Sequence, residues 1–369
     1  MRYYSALNCK NSPRIVLAVT NDLVADRRVA RHAEALREAG YAVATVGRND
    51  LKVKARRGWR FYLEYNVRLR RCLLREKPDI VWANDTDTLL GAWLASRRLH
   101  CKLVMDAHEL FPEVPEIQHK PLVKWVWRTI ERRLMPKCDA LLTVCQSLTD
   151  HYKTKYGVEM TVVRNLPSPE FPNHDIHPHL QTPTSNPRTL LYQGCVNLGR
   201  GVDWAVDALE WLPDCRLVVA GRGDLLEQMK AYAAQKPWAD RVTFLGHVPP
   251  SELPDLTRQA DVGLVMLEDM GLSYHYALPN RIGDFVQAGV PMVVSDLPEM
   301  AAVVRRFGVG DIMSAPGAKA LAESVTRVLS RQWTADDFSA ARADMDWNKE
   351  KQKLINIPNN LKQCCTTSC

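Results

Sequence analysis

The chain has 369 residues, of which 46% are hydrophobic and 25% charged, with a formal net charge of +7. That length suits two domains of ordinary size, and the composition is that of a soluble globular protein. The longest apolar runs, such as LLTVC and VGLVML, are far too short to cross a bilayer, and the opening MRYYSALNCKNSPR lacks the apolar core of a signal peptide, so a cytoplasmic location is expected. The charge is uneven. Through Asn165 there are 30 Lys and Arg against 18 Asp and Glu; the remainder has 19 against 24. A basic first half suggests an anionic partner: nucleic acid, an acidic substrate or a membrane surface. No nucleic-acid-binding module is recognisable, so nucleic acid is not the expected partner. The ten cysteines form no CxxC pair and no zinc site. Most read as small buried apolar residues.

RIVLAVT is a continuous apolar run, as expected of a parallel strand covered on both faces. VARHAEALREAG places Val29, Ala33, Leu36 and Ala39 on one helical face and ends in a capping glycine. YAVATVG, PDIVWAN, KLVMDAH and DALLTVCQ continue the strands, with helices between them, which predicts a parallel α/β sheet over 1–165. Residues 166–188 are rich in Pro, Asn, Ser and His without periodicity and read as a linker. RTLLYQG, CRLVVAG, VTFLG, VGLVML and PMVVSD then mark a second α/β unit over 189–335. A helical segment over 336–362 carries no strand and is expected to return to the first domain, leaving 363–369, with Cys364, Cys365 and Cys369, as a disordered tail. Ligands of such open sheets bind beyond the carboxyl ends of the strands, so the expected site is a cleft between the two domains.

Chemistry-bearing residues do follow strands. The loop after the first strand carries Asp22 and Asp26, which suit a sugar hydroxyl, although Asp26 equally suits a helix cap. PDIVWAN is followed by Asp85, Thr86 and Asp87, and KLVM by Asp106, His108 and Glu109. His108 suits a substrate hydrogen bond or proton movement near neutral pH; the alternative is that these acids brace loops around a structural histidine. YQGCVNLGRGVDWAV places Gly194, Gly199 and Gly201 in a turn before a helix, where Arg200 can fork onto a diphosphate. LVVAGRGD repeats the theme with Arg222, which is equally read as a solvated charge. Neither turn is a full GxGxxG with an acid about 20 residues on, which argues against a nicotinamide dinucleotide. Backbone atoms at Gly246, His247 and Val248 suit a base edge. In YALPNRIGDFVQAGVP, Pro279 suits the first helical position, and Asp284 about a turn later suits ligand hydroxyls rather than an anion.

Taken together, NDLVADRRVARHAEAL, VWANDTDTLLGAWLA, LVMDAHELFPE, LLYQGCVNLGRGVDWAV, LVVAGRGD and ALPNRIGDFVQAGVPMVVSD resemble the retaining glycosyltransferases of GT-B fold in family 4, over about Pro13 to Leu354. The resemblance implies two Rossmann-like domains facing each other across a cleft, with a C-terminal helix crossing back. It implies transfer of a sugar from a nucleotide-sugar donor to a glycan or lipid-linked acceptor, with no cofactor and no metal. It places the donor diphosphate at Arg200, Gly201, Arg222, Pro279 and Asn280, the ribose at Asp284, the donor sugar near Tyr276, Ala277 and Leu278, and the base near Gly246, His247 and Val248. His108 and Asp85 would be catalytic, with Asp22, Asp26 and Glu109 on the acceptor side. The chain departs from the family's E-x7-E pattern, with Tyr276 at the first acidic position and Asp284 at the second. It also has Gly194-Cys195 where relatives have Gly-Arg, and Arg200-Gly201 at their Lys-Gly step. Two alternatives stand beside this reading: a nucleotide-sugar epimerase, which would need no acceptor, and a non-catalytic nucleotide-sugar-binding partner of another transferase, which Tyr276 favours. KVKARRGWRFYLEYNVRLRRCLLREK and KPLVKWVWRTIERRL mix basic residues with Trp, Tyr and Leu, which suits peripheral contact with an anionic membrane or, equally, helices that pack their aromatics inward.

Overall fold

The computed structural model describes residues 12–21, 23, 26–55, 58–167 and 187–366. Asp22, Arg56, Arg57, most of the expected linker (168–186) and residues 367–369 lie outside them. The chain divides into two compact units, Met1–Asn165 with Asn348–Cys369, and Leu166–Trp347.

Unit 1 alternates β1 (Arg14–Ala18), α1 (Arg27–Glu38), β2 (Ala42–Val46), α2 (Gly58–Glu76), β3 (Ile80–Asn84), α3 (Thr86–Leu99), β4 (Lys102–Ala107), α4 (Pro121–Leu134), β5 (Ala140–Thr143), α5 (Gln146–Tyr156) and β6 (Thr161–Val162). All its strands are parallel, in the order β2-β1-β3-β4-β5-β6. The apolar strand runs are buried as their composition requires: Ile15, Leu17, Val81, Trp82 and Val104 are fully covered. Covering each stabilises by about 1.5–3 kcal/mol relative to exposure.

Unit 2 runs β7 (Arg188–Gln193), α6 (Val202–Ala208), β8 (Cys215–Ala220), α7 (Leu226–Ala233), β9 (Val242–Gly246), α8 (Leu253–Arg258), β10 (Val262–Val265), α9 (Leu272–His275), α10 (Arg281–Ala288), β11 (Met292–Val294), α11 (Pro298–Phe307), β12 (Gly310–Ile312), α12 (Ala318–Ser330) and α13 (Asp336–Asp344). Its parallel sheet has the order β12-β11-β10-β7-β8-β9. The last helix, α14 (Trp347–Thr366), belongs to unit 1 from Asn348 onward. Buried Glu350 accepts the Arg164 N–H and its Nε at 3.0 and 2.9 Å, and Tyr41 donates to Asn359 at 2.5 Å.

Several sequence expectations change. The strands β6 and β12 went unread because two- and three-residue edge strands carry too little apolar pattern. Ala39 is the exposed C-cap of α1 rather than part of its buried face, because the chain leaves the helix there through Gly40 at φ 87. The segment after Ala335 is two helices, broken at Met345-Asp346. Residues 363–366 continue α14, contrary to the expected disordered tail, since nothing in NNLKQCCT breaks a helix already anchored to unit 1.

Candidate active site

The candidate residues form two groups, one per unit, each where the strand order of its sheet reverses. In unit 1 that switch point lies between β1 and β3. Asn84 at the end of β3 donates to the Ala18 carbonyl at 2.9 Å, and Thr20 donates to the Asp87 carboxylate at 2.5 Å. Between them Asp85 has φ 63, a left-handed conformation rare outside glycine. Such strain costs on the order of 1–3 kcal/mol and persists only where neighbours hold it. Here the Asp85 N–H donates to the Asp106 carbonyl at 2.9 Å, and the Asp85 carboxylate accepts the His108 N–H at 2.8 Å.

The His108 ring sits between two carboxylates, with Nδ1 at 3.1 Å from Asp85 Oδ2 and Nε2 at 3.3 Å from Asp106 Oδ2. Fully buried Asp106 also takes a fork from Arg28, at 3.0 Å from Nε and 2.7 Å from Nη2. Burial would raise the Asp106 carboxyl, but Arg28 and His108 override it and hold it well below the usual carboxylate range. Burial would likewise lower His108, yet Asp85 and Asp106 push it up to about 10. Asp87 moves up to about 8, mainly through burial and then the Asp85 charge. Buried His32, 3.4 Å from Asp106, is held well below its ordinary value by burial and the Arg28 charge.

These shifts favour the other reading of the sequence, a histidine braced by acids, over one that moves a proton near neutral pH. At a value of about 10 the ring is charged there, with Nδ1 and Nε2 near the Asp85 and Asp106 carboxylates. Its folded pKa of about 10 lies above the ordinary 6.5, so the stability it contributes is fully present below 6.5 and is lost as pH rises toward 10. An NMR titration of the assigned His108 ring is expected to show the charged form until close to pH 10; a midpoint near 6.5 would break this arrangement. Asp87, protonated below about 8, should tolerate Asp87→Asn at pH 7 with a change of about 1 kcal/mol or less in urea unfolding.

Asp26 is the N-cap of α1, its Oδ1 accepting the Val29 N–H at 3.1 Å, so its carboxylate serves the helix. Glu109 is exposed beside the group, and its carbonyl lies 3.4 Å from the Tyr152 hydroxyl. Asp22 lies outside the described residues.

In unit 2 the switch point lies between β7 and β10. The Arg281 guanidinium bridges it, with Nη1 donating to the Gln193 carbonyl at 3.1 Å and Nη2 to the Met266 carbonyl at 3.2 Å. It stacks 4.7 Å from the Tyr192 ring and lies directly under Gly194, where an added Cβ would meet Nη1 at 2.7 Å. Arg281 is buried, and its hydrogen bonds among the described residues go to backbone carbonyls rather than to a carboxylate. Burial, and secondarily the nearby charge of Arg200, lower its pKa. Arg200 stacks over Tyr274 at 4.7 Å, between Gly199 and Gly201, both in left-handed backbone. A Cβ on Gly201 would meet Met266 at 2.7 Å, so only glycine fits this turn. The second turn needs glycine too: a Cβ on Gly221 would meet the Gly194 carbonyl at 1.7 Å. Arg200 and Arg281 each keep a buried Nε–H with no partner among the described residues. Buried donors are nearly always paired, so two orphans at one strand end point to an absent acceptor.

Asp284 accepts from Gln193 Nε2 at 2.9 Å, and Gln193 Oε1 accepts from Thr257 at 2.9 Å. This chain of bonds fixes the Asp284 carboxylate at the end of β7. Pro279 is not the first helical residue: α10 starts at Arg281, and the Pro279 carbonyl accepts the Ile282 N–H at 3.0 Å in a tighter turn before it. Asn280 is exposed and caps α10 without a side-chain bond. Arg222 is exposed and makes no side-chain bond to a described residue; its carbonyl accepts from Val196 at 2.9 Å. The Gly246 carbonyl is taken by the Gly221 N–H at 2.7 Å, while His247 is exposed and Val248 half-buried. Tyr276, Ala277 and Leu278 form the half-buried link between α9 and α10. The sequence reading missed Arg28, Gln193, Tyr274 and Arg281. The available signal for Arg281 was an arginine immediately before an apolar helix face.

Two family models match the chain, "Glycosyltransferase Family 4" over residues 25–168 and "Glycosyl transferases group 1" over 187–331. The chain belongs to glycosyltransferase family 4. This glycosyltransferase is 25% identical over 295 residues to glycogen synthase from Mycobacterium tuberculosis, an alignment covering 73% of the chain and 66% of that relative. Sucrose-phosphate synthase from Thermosynechococcus elongatus has the same fold, with a TM-score of 0.76 and 16% identity over 95% of this chain and all of that one. Anabaena HepE in complex with UDP and glucose superposes with a TM-score of 0.72 and 15% identity, over 94% of this chain and all of that one. The glycosyltransferase thus has the GT-B fold, and its two matched segments fall one on each unit.

Proposed function

We propose that the enzyme transfers a sugar, with retention at the anomeric carbon, from a nucleotide-diphosphate sugar to a glycan or lipid-linked glycan in surface or capsular polysaccharide synthesis. The observation that carries this reading is the pair of arginines at the unit 2 switch point, cationic, unpaired with carboxylates and each holding an orphaned N–H. A diphosphate supplies the absent acceptors and neutralises the charge, and no metal or cofactor is required for that. Arg281 takes the place that the resemblance gave to Arg222. Asp284, fixed by Gln193, meets the ribose hydroxyls. In unit 1, Asp85 faces the transferred sugar or the acceptor, and charged His108 holds its carboxylate in place.

UDP is the first nucleotide to try, because a solved structure of this fold contains it. The test is turnover of UDP-, GDP- and ADP-sugars with glycan and lipid-linked glycan acceptors, the anomeric configuration of the product being read by NMR. An α-linked product from an α-linked donor is expected. Conversion of the nucleotide-sugar without acceptor would favour the epimerase alternative, and an inverted product would remove retention.

A further inference from the structure

A buried carboxyl in unit 1, outside the Asp85–His108 pair, grips the chain on both sides of it. Glu131 lies on α4 and is 1% exposed. Its hydrogen bonds among the described residues come from hydroxyls rather than from a cation. Thr86 Oγ1 donates to Oε1 at 2.9 Å, the Tyr156 hydroxyl donates to Oε2 at 2.9 Å, and the Tyr152 hydroxyl lies 3.4 Å from Oε1. That Tyr152 hydroxyl is also 3.4 Å from the Glu109 carbonyl. Thr86 and Tyr152 are fully buried. Burial pushes the Glu131 carboxyl up to about 7, although Thr86, Tyr156 and the charge of Lys155 on α5 pull it down.

Burying a carboxyl is costly, and apolar side chains of similar volume often serve a core as well. An apolar residue could not hold Thr86 and Glu109. Thr86 directly follows Asp85, and Glu109 directly follows His108, on the ends of the paired strands β3 and β4. Asp85 has φ 63, a backbone that needs neighbours to hold it. Its N–H is held by the Asp106 carbonyl, and its carbonyl accepts from Thr88, at 3.3 Å from the N–H and 3.1 Å from Oγ1. Glu131 adds a third hold, on the next residue. We propose that Glu131 is a positioning residue: by gripping Thr86 directly, and the Glu109 carbonyl through Tyr152, it keeps Asp85 in its strained backbone with the carboxylate against the His108 ring. α3, α4, α5 and the loop after β4 all meet at this one group, so the placement of Asp85 depends on a side chain that touches neither Asp85 nor His108. The inference rests on the reading that Asp85 faces the transferred sugar or the acceptor, but only for its kinetic arm.

Thr86→Val, Glu131→Ala and Glu131→Gln are compared with the natural chain by NMR titration of the assigned His108 ring, and by kcat and KM on the donor and acceptor that turn over. In Thr86→Val and Glu131→Ala the Asp85 carboxylate is released from Nδ1, and His108 keeps Asp106 as its close carboxylate. Its midpoint should then fall by about 1–3 pH units, the effect of one opposite charge at this range. In the same variants kcat should fall about 10²-fold, the loss that a misplacement of about 1 Å can produce. The donor KM and the melting response to nucleotide should stay natural, because the donor groups belong to unit 2. Glu131→Gln should keep the natural midpoint and most of kcat, because its amide accepts at one atom and donates at the other, as a protonated carboxyl does. A role in packing alone would lower the melting temperature of Glu131→Ala and leave the His108 midpoint and kcat unmoved, which overturns the proposal. So does a Glu131→Gln variant that behaves like Glu131→Ala. If Glu131→Ala does not fold, Thr86→Val decides, since it removes one hydroxyl and leaves the carboxyl its two tyrosines. If no nucleotide-sugar turns over, the transferase reading falls, and the His108 midpoint still decides whether Glu131 positions Asp85.

Discussion

Arg200→Ala is expected to abolish the response of the protein to its donor nucleotide. A nucleotide at about 100 times its dissociation constant stabilises by roughly 2.7 kcal/mol, a clear rise in melting temperature. The variant should lose that rise while melting at the natural temperature without nucleotide, because Arg200 forms no ion pair with a carboxylate among the described residues and its guanidinium stacks over the Tyr274 ring. If Arg200 also neutralises the leaving diphosphate, kcat/KM should fall by about 10²–10³, the usual loss when one preorganised donor to developing charge is removed. Arg281→Lys separates the two cations. It keeps the charge but gives up the planar fork that reaches both Gln193 and Met266, so a weaker nucleotide response with part of the activity retained is expected. An unchanged nucleotide response in Arg200→Ala would move the diphosphate away from this turn.

Asp106→Asn is expected to be among the most destabilising single changes in unit 1. Asp106 is fully buried and faces two cations, the forked Arg28 and His108. Taking away the charge that answers them leaves Arg28 buried, with the Val163 carbonyl, at 2.8 Å, as its further partner among the described residues. Breaking a buried pair in this way costs about 3–5 kcal/mol. At about 2–4 °C per kcal/mol for a unit of this size, the melting temperature should drop by ten degrees or so. The Asp106 carboxyl is depressed in the folded state, so its stability is present above the ordinary carboxylate pKa of 3.8 and is lost as pH falls through the folded value. The gap between natural and variant protein should therefore be wide at pH 7 and close in strong acid. The same change removes one of the two carboxylates that keep His108 charged, so its titration should move toward neutrality. A variant as stable as the natural chain would mean that the pair is not desolvated.

Continuous runs such as RIVLAVT and KLVMDA sufficed to announce parallel strands, because a strand covered on both faces must be apolar throughout. Glycine spacing marked both turns of unit 2, since φ and close approach are local demands and only glycine meets them. Ordered motifs sufficed for the family. Beyond that, the sequence carried positions without states. DAHEL shows a histidine near acids, but its charge depends on burial between Asp85 and Asp106, contributed by two different strand ends. Arg281 reads as one more surface arginine until the switch point places two strand-end carbonyls and the Tyr192 ring around it. KPLVKWVWRTIERRL shows that α4 has apolar residues, yet only packing decides that Trp127 points in and Trp125 out. Local patterning fixes backbone form because hydrogen bonds and φ/ψ limits act between near neighbours. Charge state, orphaned donors and exposure are decided by groups distant in sequence, and those meet only when the sheets close.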